Sequence, residues 1–167
     1  MIRSNLFLLS VYFIGVCCCA LPVSAQNKLV NPGFDSGSGT TTISHWSSTG
    51  HVFREYYNLP TDNGTHSSYI AKLFGNWTTN PNYSIISQKV PIATAGDYWE
   101  AGLYGYIPSW DWLRGTNEAF VELIFLSADG QILKIITSDS VFSTDLQNVF
   151  HQFLIGDRAP MEATQIQ

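Results

Sequence analysis

Two tryptophans one residue apart, Trp110 and Trp112, flank Asp111 and stand just ahead of Arg114 in the polar stretch Pro108-Ser109-Trp110-Asp111-Trp112-Leu113-Arg114. Trp77 lies in a second such stretch, Gly75-Asn76-Trp77-Thr78-Thr79-Asn80. Binding residues concentrate on loops held by a rigid scaffold. Flat rings on a loop suit a ligand with one apolar face, which a pyranose offers through its axial C–H groups. Neighbouring carboxylate and guanidinium groups then read the hydroxyls, giving a few aromatic anchors and a few polar contacts. Tyr83, Tyr104 and Tyr106 stand behind the tryptophan pair as further rings. The ligand site expected from these residues comprises Trp110, Trp112, Trp77, Tyr104, Tyr106, Asp111 and Arg114, with a polysaccharide or glycan as partner. The competing structural reading is that one ring of a loop tucks back as a lid on the core.

Catalytic patterns are thin. His45, His51, His66 and His151 are scattered, without a His-Glu-x-x-His helix, and there is no Gly-x-Ser-x-Gly elbow or glycine-rich phosphate loop. Glycoside hydrolysis needs two carboxylates about 5–9.5 Å apart. Glu100 and Glu122 are the pair that would meet this if their strands were neighbours. Carboxylates on a solvated sheet face are the commoner arrangement, so the expectation is a binding module and not an enzyme.

Composition narrows the class further. The chain has 167 residues with 8 basic and 13 acidic side chains, a net −5. That balance excludes the clustered Lys and Arg of a nucleic-acid binder or a polybasic membrane-surface protein. With 45% hydrophobic and 14% aromatic residues a packed core is available, and bulk disorder is excluded. Arg3, the apolar run Leu6–Ala20 and the small residues of Val23-Ser24-Ala25 form a secretory leader over residues 1–25, cleaved before Gln26. Cys17, Cys18 and Cys19 all leave with it, so the mature domain, residues 26–167, has no disulfide. Beyond the leader no stretch reaches the ~20 apolar residues of a membrane span. The expected location is extracellular or periplasmic. Asn63, Asn76 and Asn82 head N-x-Ser/Thr sequons, which matter in a eukaryotic secretory route.

The elements that must carry the site read as strands. Short β-branched and aromatic runs bounded by turn residues recur, and no helical period persists. Strands are predicted at 28–31, 43–47, 52–57, 68–74, 83–90, 98–107, 119–126, 131–137 and 149–155. Asp129-Gly130 joins two apolar runs and predicts a hairpin. About nine antiparallel strands at this spacing make an all-β, two-sheet sandwich. Alternation along 98–107 puts Trp99, Ala101, Leu103 and Ile107 on one face and Glu100, Tyr104 and Tyr106 on the other. Glu122 is expected to share that outer face.

Leu29-Val30-Asn31-Pro32-Gly33-Phe34-Asp35 followed by His45-Trp46 resembles the "N-x-G-F-E…W" opening of CenC-like carbohydrate-binding modules (families 4, 9, 16 and 22). His66–Lys72, Ile86–Val90, Ala95–Trp99, Asn117–Gly130 and Ala159–Thr164 resemble later motifs of that family in the same order. The resemblance implies a galactose-binding-like jelly roll, glycan binding and attachment to, or descent from, a glycoside hydrolase. It also implies a structural Ca²⁺ held by the acid after Gly-Phe, here Asp35, with nearby carbonyls and a carboxylate from the family's last strand. That strand would begin where this sequence stops at Gln167, so the resemblance implies a sandwich lacking it.

Overall fold

The computed structural model describes residues 2–3, 26–61, 64–75, 82–92 and 94–167. The chain is all-β and antiparallel, with no helix among the described residues. In chain order the strands are β1 Ile2–Arg3, β2 Gly37–Ser38, β3 Thr42–Ile43, β4 Ser47–Thr49, β5 His51–Thr61, β6 Gly64–Phe74, β7 Ile85–Ser87 and β8 Val90–Pro91. They continue as β9 Tyr98–Tyr106, β10 Glu118–Ala119, β11 Glu122–Leu126, β12 Ile132–Thr137, β13 Val141–Phe142, β14 Phe150–Arg158 and β15 Gln165–Ile166. One main sheet has the order β14-β9-β1-β6-β5 and the other β12-β11-β15-β8. Of residues 1–25, Ile2 and Arg3 are described; they pair with Ala71 of β6 and with Gly105 and Tyr104 of β9.

The core lies between the main sheets. Trp99 of β9 and Ile155 of β14 pack with Val90, Leu123, Phe125 and Ile166 of the opposite sheet. Each strand contributes alternate residues, which is how a pleated strand buries one face. Phe34, Ile43, Val52 and Ala71 form a second buried cluster, and Ile107, Val141 and Phe153 a third. Trp46 packs on Phe34 with ring centroids 5.1 Å apart, and its indole N–H donates to the Asn31 carbonyl at 2.9 Å.

The Asp129-Gly130 hairpin forms as expected. Gly130 is left-handed at φ 76°, its N–H donates to the Ser127 carbonyl at 3.0 Å, and the Ser127 N–H donates to the Gln131 carbonyl at 2.9 Å. This is a tight turn closed by a bulge, and the β11–β12 register shifts between Phe125 and Leu126 accordingly. The strand predicted at 28–31 does not form. Asn31 there is left-handed at φ 55°, which ends any extended run.

One ion pair clasps the two sheets along their edges. Lys134 Nζ of β12 lies 2.5 Å from Asp157 Oδ2 of β14. The Lys134 hydrogen bond, and next the Arg158 backbone N–H, hold the Asp157 carboxyl below the usual carboxylate range. A carboxyl depressed on folding contributes stability above its unfolded value, ~3.9, and that contribution is lost as pH falls through the folded value. Both side chains are more than a third exposed, so solvent screens the pair and the effect is small at neutral pH. Asp157→Asn is therefore expected to flatten the acid limb of stability while changing the neutral urea midpoint little. Identical pH dependence in variant and wild type would contradict the clasp.

Candidate functional site

The outer face of the five-stranded sheet gathers three of the predicted ring residues, Trp110, Tyr104 and Tyr106. β5 and β6 form a long hairpin in which Glu55 faces Ile70 and Phe53 faces Lys72. Alternation puts Phe53, Glu55 and Tyr57 of β5 on the same side as Ile70, Lys72 and Phe74 of β6. On the other half of the sheet, Tyr106 pairs with Phe150, Tyr104 with Gln152 and Glu100 with Gly156, all facing the same way. Ile70 and Tyr106 form a small buried cluster here, with Tyr57 and Phe150 packed against it. The Tyr104 and Phe150 rings meet edge to face at 6.5 Å.

The tryptophan loop folds over this face. It leaves β9 through the buried Ile107 and Pro108, which anchor its base. Asn148, left-handed at φ 59°, accepts from the Ser109 N–H at 2.9 Å and donates its own N–H to the Ile107 carbonyl at 2.8 Å. The Asp111 N–H closes a turn on the Pro108 carbonyl at 3.2 Å. Trp110, 61% exposed, then lies over Tyr57 with ring planes 22° apart and centroids at 6.3 Å. Asp111 Oδ2 lies 3.5 Å from Lys72 Nζ, which also sits 3.7 Å from Glu55 Oε2. The ammonium is 4.5 Å from the Phe74 ring centroid. Two carboxylates thus share one cation beside an exposed indole, leaving a polar edge of net charge −1 to an aromatic platform.

The predicted residues fall into distinct places. Trp110, Asp111, Tyr104 and Tyr106 come together, but Tyr106 is only 3% exposed and serves as floor beneath the platform. Burial, and next the neighbouring Tyr57, push the Tyr106 phenol above its ordinary value, so it stays a neutral hydroxyl across the physiological range. Trp112 is 39% exposed, with the Arg114 guanidinium 5.6 Å from its ring centroid. Trp77, with Asn63 and Asn76, lies outside the described residues, whereas Asn82 is exposed. Asp35 stands apart in the loop before β2. Its carboxylate covers Gly33, where an added Cβ would meet Asp35 Oδ2 at 2.7 Å. Among the described residues no three His, Cys, Asp or Glu side chains come together.

Glu100 and Glu122 do not share a face. Glu100 is on the outer face of the five-stranded sheet, and Glu122 is on β11 of the opposite sheet, exposed on its far side. Packed sheets are ~10 Å apart, so the core separates the two carboxylates by more than the 5–9.5 Å that glycoside hydrolysis uses. Sequence reasoning missed Tyr57, Glu55, Lys72 and Phe150. The alternation of 52–57 and 68–74 carried the signal for their faces, but not which strands are neighbours.

No family model, no curated protein and no solved structure matches this chain.

Proposed function

We propose that this chain is a secreted, noncatalytic module that binds a polysaccharide or glycan on the outer face of the five-stranded sheet. The observation that carries this reading is the exposed Trp110 ring held over Tyr57, with Lys72, Glu55 and Asp111 at its edge. A pyranose stacked on Trp110 would place its hydroxyls within reach of that charged trio, the pairing of an apolar anchor with a few oriented polar groups that sugar sites use. The residual negative charge of the trio, whose single cation is paired, favours a neutral glycan over a polyanion. The ordered motifs from Leu29 to Thr164 support a galactose-binding-like jelly roll. They also support association with, or descent from, a glycoside hydrolase. In this reading the leader is removed before Gln26 and takes β1 with it, so the binding face of the mature domain is carried by β5, β6, β9, β14 and the loop after β9.

A second reading rests on a different surface. Ile132, Leu133 and Ile135 of edge strand β12 are all exposed, Ile132 by 60%. An apolar edge of this kind also suits an extracellular structural or adhesive domain that contacts protein or matrix. A glycan array probed with the secreted protein separates the two. Retention on a defined set of neutral glycans is expected; binding to matrix proteins with no glycan retained would favour the second reading.

A further inference from the structure

The loop before β5 is built around a buried guanidinium. Arg54 of β5 is 8% exposed and points to the opposite side of its strand from Glu55. Its Nε donates to the Phe34 carbonyl at 2.8 Å and a terminal nitrogen donates to the Asp35 carbonyl. Its backbone N–H donates to the Thr40 carbonyl at 2.6 Å. The guanidinium carbon lies 3.4 Å from the centroid of the Tyr69 ring, a cation–π contact out of water. Gly37 is required beside it. A Cβ there would fall 2.2 Å from the Thr42 carbonyl oxygen and 2.8 Å from Arg54 Cδ.

Several other carbonyls of the loop also accept from N–H donors. Asn31 Nδ2 donates to the Ser36 and Ser44 carbonyls at 2.8 and 2.9 Å, and the Ser36 N–H donates to Asn31 Oδ1 at 2.9 Å. The Asn31 carbonyl accepts from Trp46 Nε1 and from the Phe34 N–H. Asn31, Phe34 and His45 are all left-handed, at φ 55°, 59° and 69°. Such strain persists where surrounding contacts over-determine it. A calcium ion needs six to eight oxygens. Beside Asp35 the Phe34 and Asp35 carbonyls already accept from Arg54, and a dication bound to them would sit against a buried positive charge. The donor set does not fit the calcium that the family resemblance implies.

We propose that Arg54 is the resident cation of this loop: its guanidinium holds the Phe34 and Asp35 carbonyls that a divalent ion would need, so the loop closes and the fold stands without calcium. Asp35 then acts through its backbone carbonyl and its packing over Gly33, not as a metal ligand. The fork matters as much as the charge, because two carbonyls are held by different nitrogens, a geometry that a single ammonium does not reproduce.

The test is thermal unfolding of the secreted wild-type protein in EDTA and in calcium at about 5 mM, above the ~0.1–1 mM dissociation constants of extracellular calcium modules. A ligand bound only by the folded state raises the midpoint. The two curves are expected to superimpose, and a calcium-dependent rise of several degrees would overturn the proposal. Native mass spectrometry of the same samples is expected to show no retained calcium; a stoichiometric adduct would overturn it equally. Arg54→Met is expected to lower the midpoint strongly and Arg54→Lys to lower it less. An Arg54→Met midpoint equal to that of the wild type would refute the assigned role. Should Arg54→Met fail to fold, the wild-type comparison and Arg54→Lys still decide the matter. None of these readouts involves glycan, so they fail or succeed independently of the binding site.

Discussion

Trp99→Ala is expected to lose most or all of the domain's stability. The indole is 3% exposed and packs in the cluster that joins β9 and β14 to the opposite sheet. Truncating a buried aromatic to alanine costs ~3–5 kcal/mol, a large part of the ~5–15 kcal/mol by which domains are stable. Trp99→Phe should behave differently. The Trp99 Nε1 is buried with no hydrogen-bond partner among the described residues, and an unmet buried donor costs ~1–3 kcal/mol. Phenylalanine removes that penalty and keeps most of the apolar volume, so its urea midpoint is expected close to that of the wild type. A Trp99→Phe protein as unstable as Trp99→Ala would show that the indole nitrogen is satisfied after all.

Trp110→Ala is expected to show the converse pattern: weakened glycan binding on an intact fold. Loss of a stacked ring removes apolar contact of ~1–3 kcal/mol, and each 1.4 kcal/mol is about tenfold in affinity. Binding should therefore fall by tenfold or more on an isotherm with a glycan that the wild type holds. The melting midpoint should move little, because Trp110 is 61% exposed and packs on Tyr57 outside the core. Trp112→Ala is expected to weaken binding as well, with a stable fold. Retained affinity in both variants would move the site away from this loop. Unfolding in both would make them core residues.

Much of the scaffold was legible because period-two alternation is a local signal. It separated Trp99, Ala101 and Leu103 from Glu100, Tyr104 and Tyr106, and the core contains the first set. Asp129-Gly130 was legible because its left-handed glycine is a chemical requirement of the turn. Strand neighbours were not legible, since pairing is set by long-range register. That is why Glu122 was grouped with Glu100, though they lie on opposite sheets. The same limit hid Lys72, whose role comes from β5 on one side and the tryptophan loop on the other. Tyr106 was rightly placed on the outer face. Its burial follows from Ile70, Tyr57 and Phe150, three residues far away in sequence. The left-handed Phe34 was illegible for another reason: a bulky residue adopts that conformation only where tertiary contacts such as Trp46 and Arg54 impose it.

Trp110 and the sheet face beneath it are proposed as a glycan-binding platform. The decisive measurement is affinity electrophoresis of the purified wild type and of Trp110→Ala in native gels cast with a series of soluble neutral polysaccharides. At least one polysaccharide is expected to retard the wild type, and Trp110→Ala is expected to run through that gel as it does through a plain one. Equal retardation of both proteins, or free migration of a folded wild type through every gel, would contradict it.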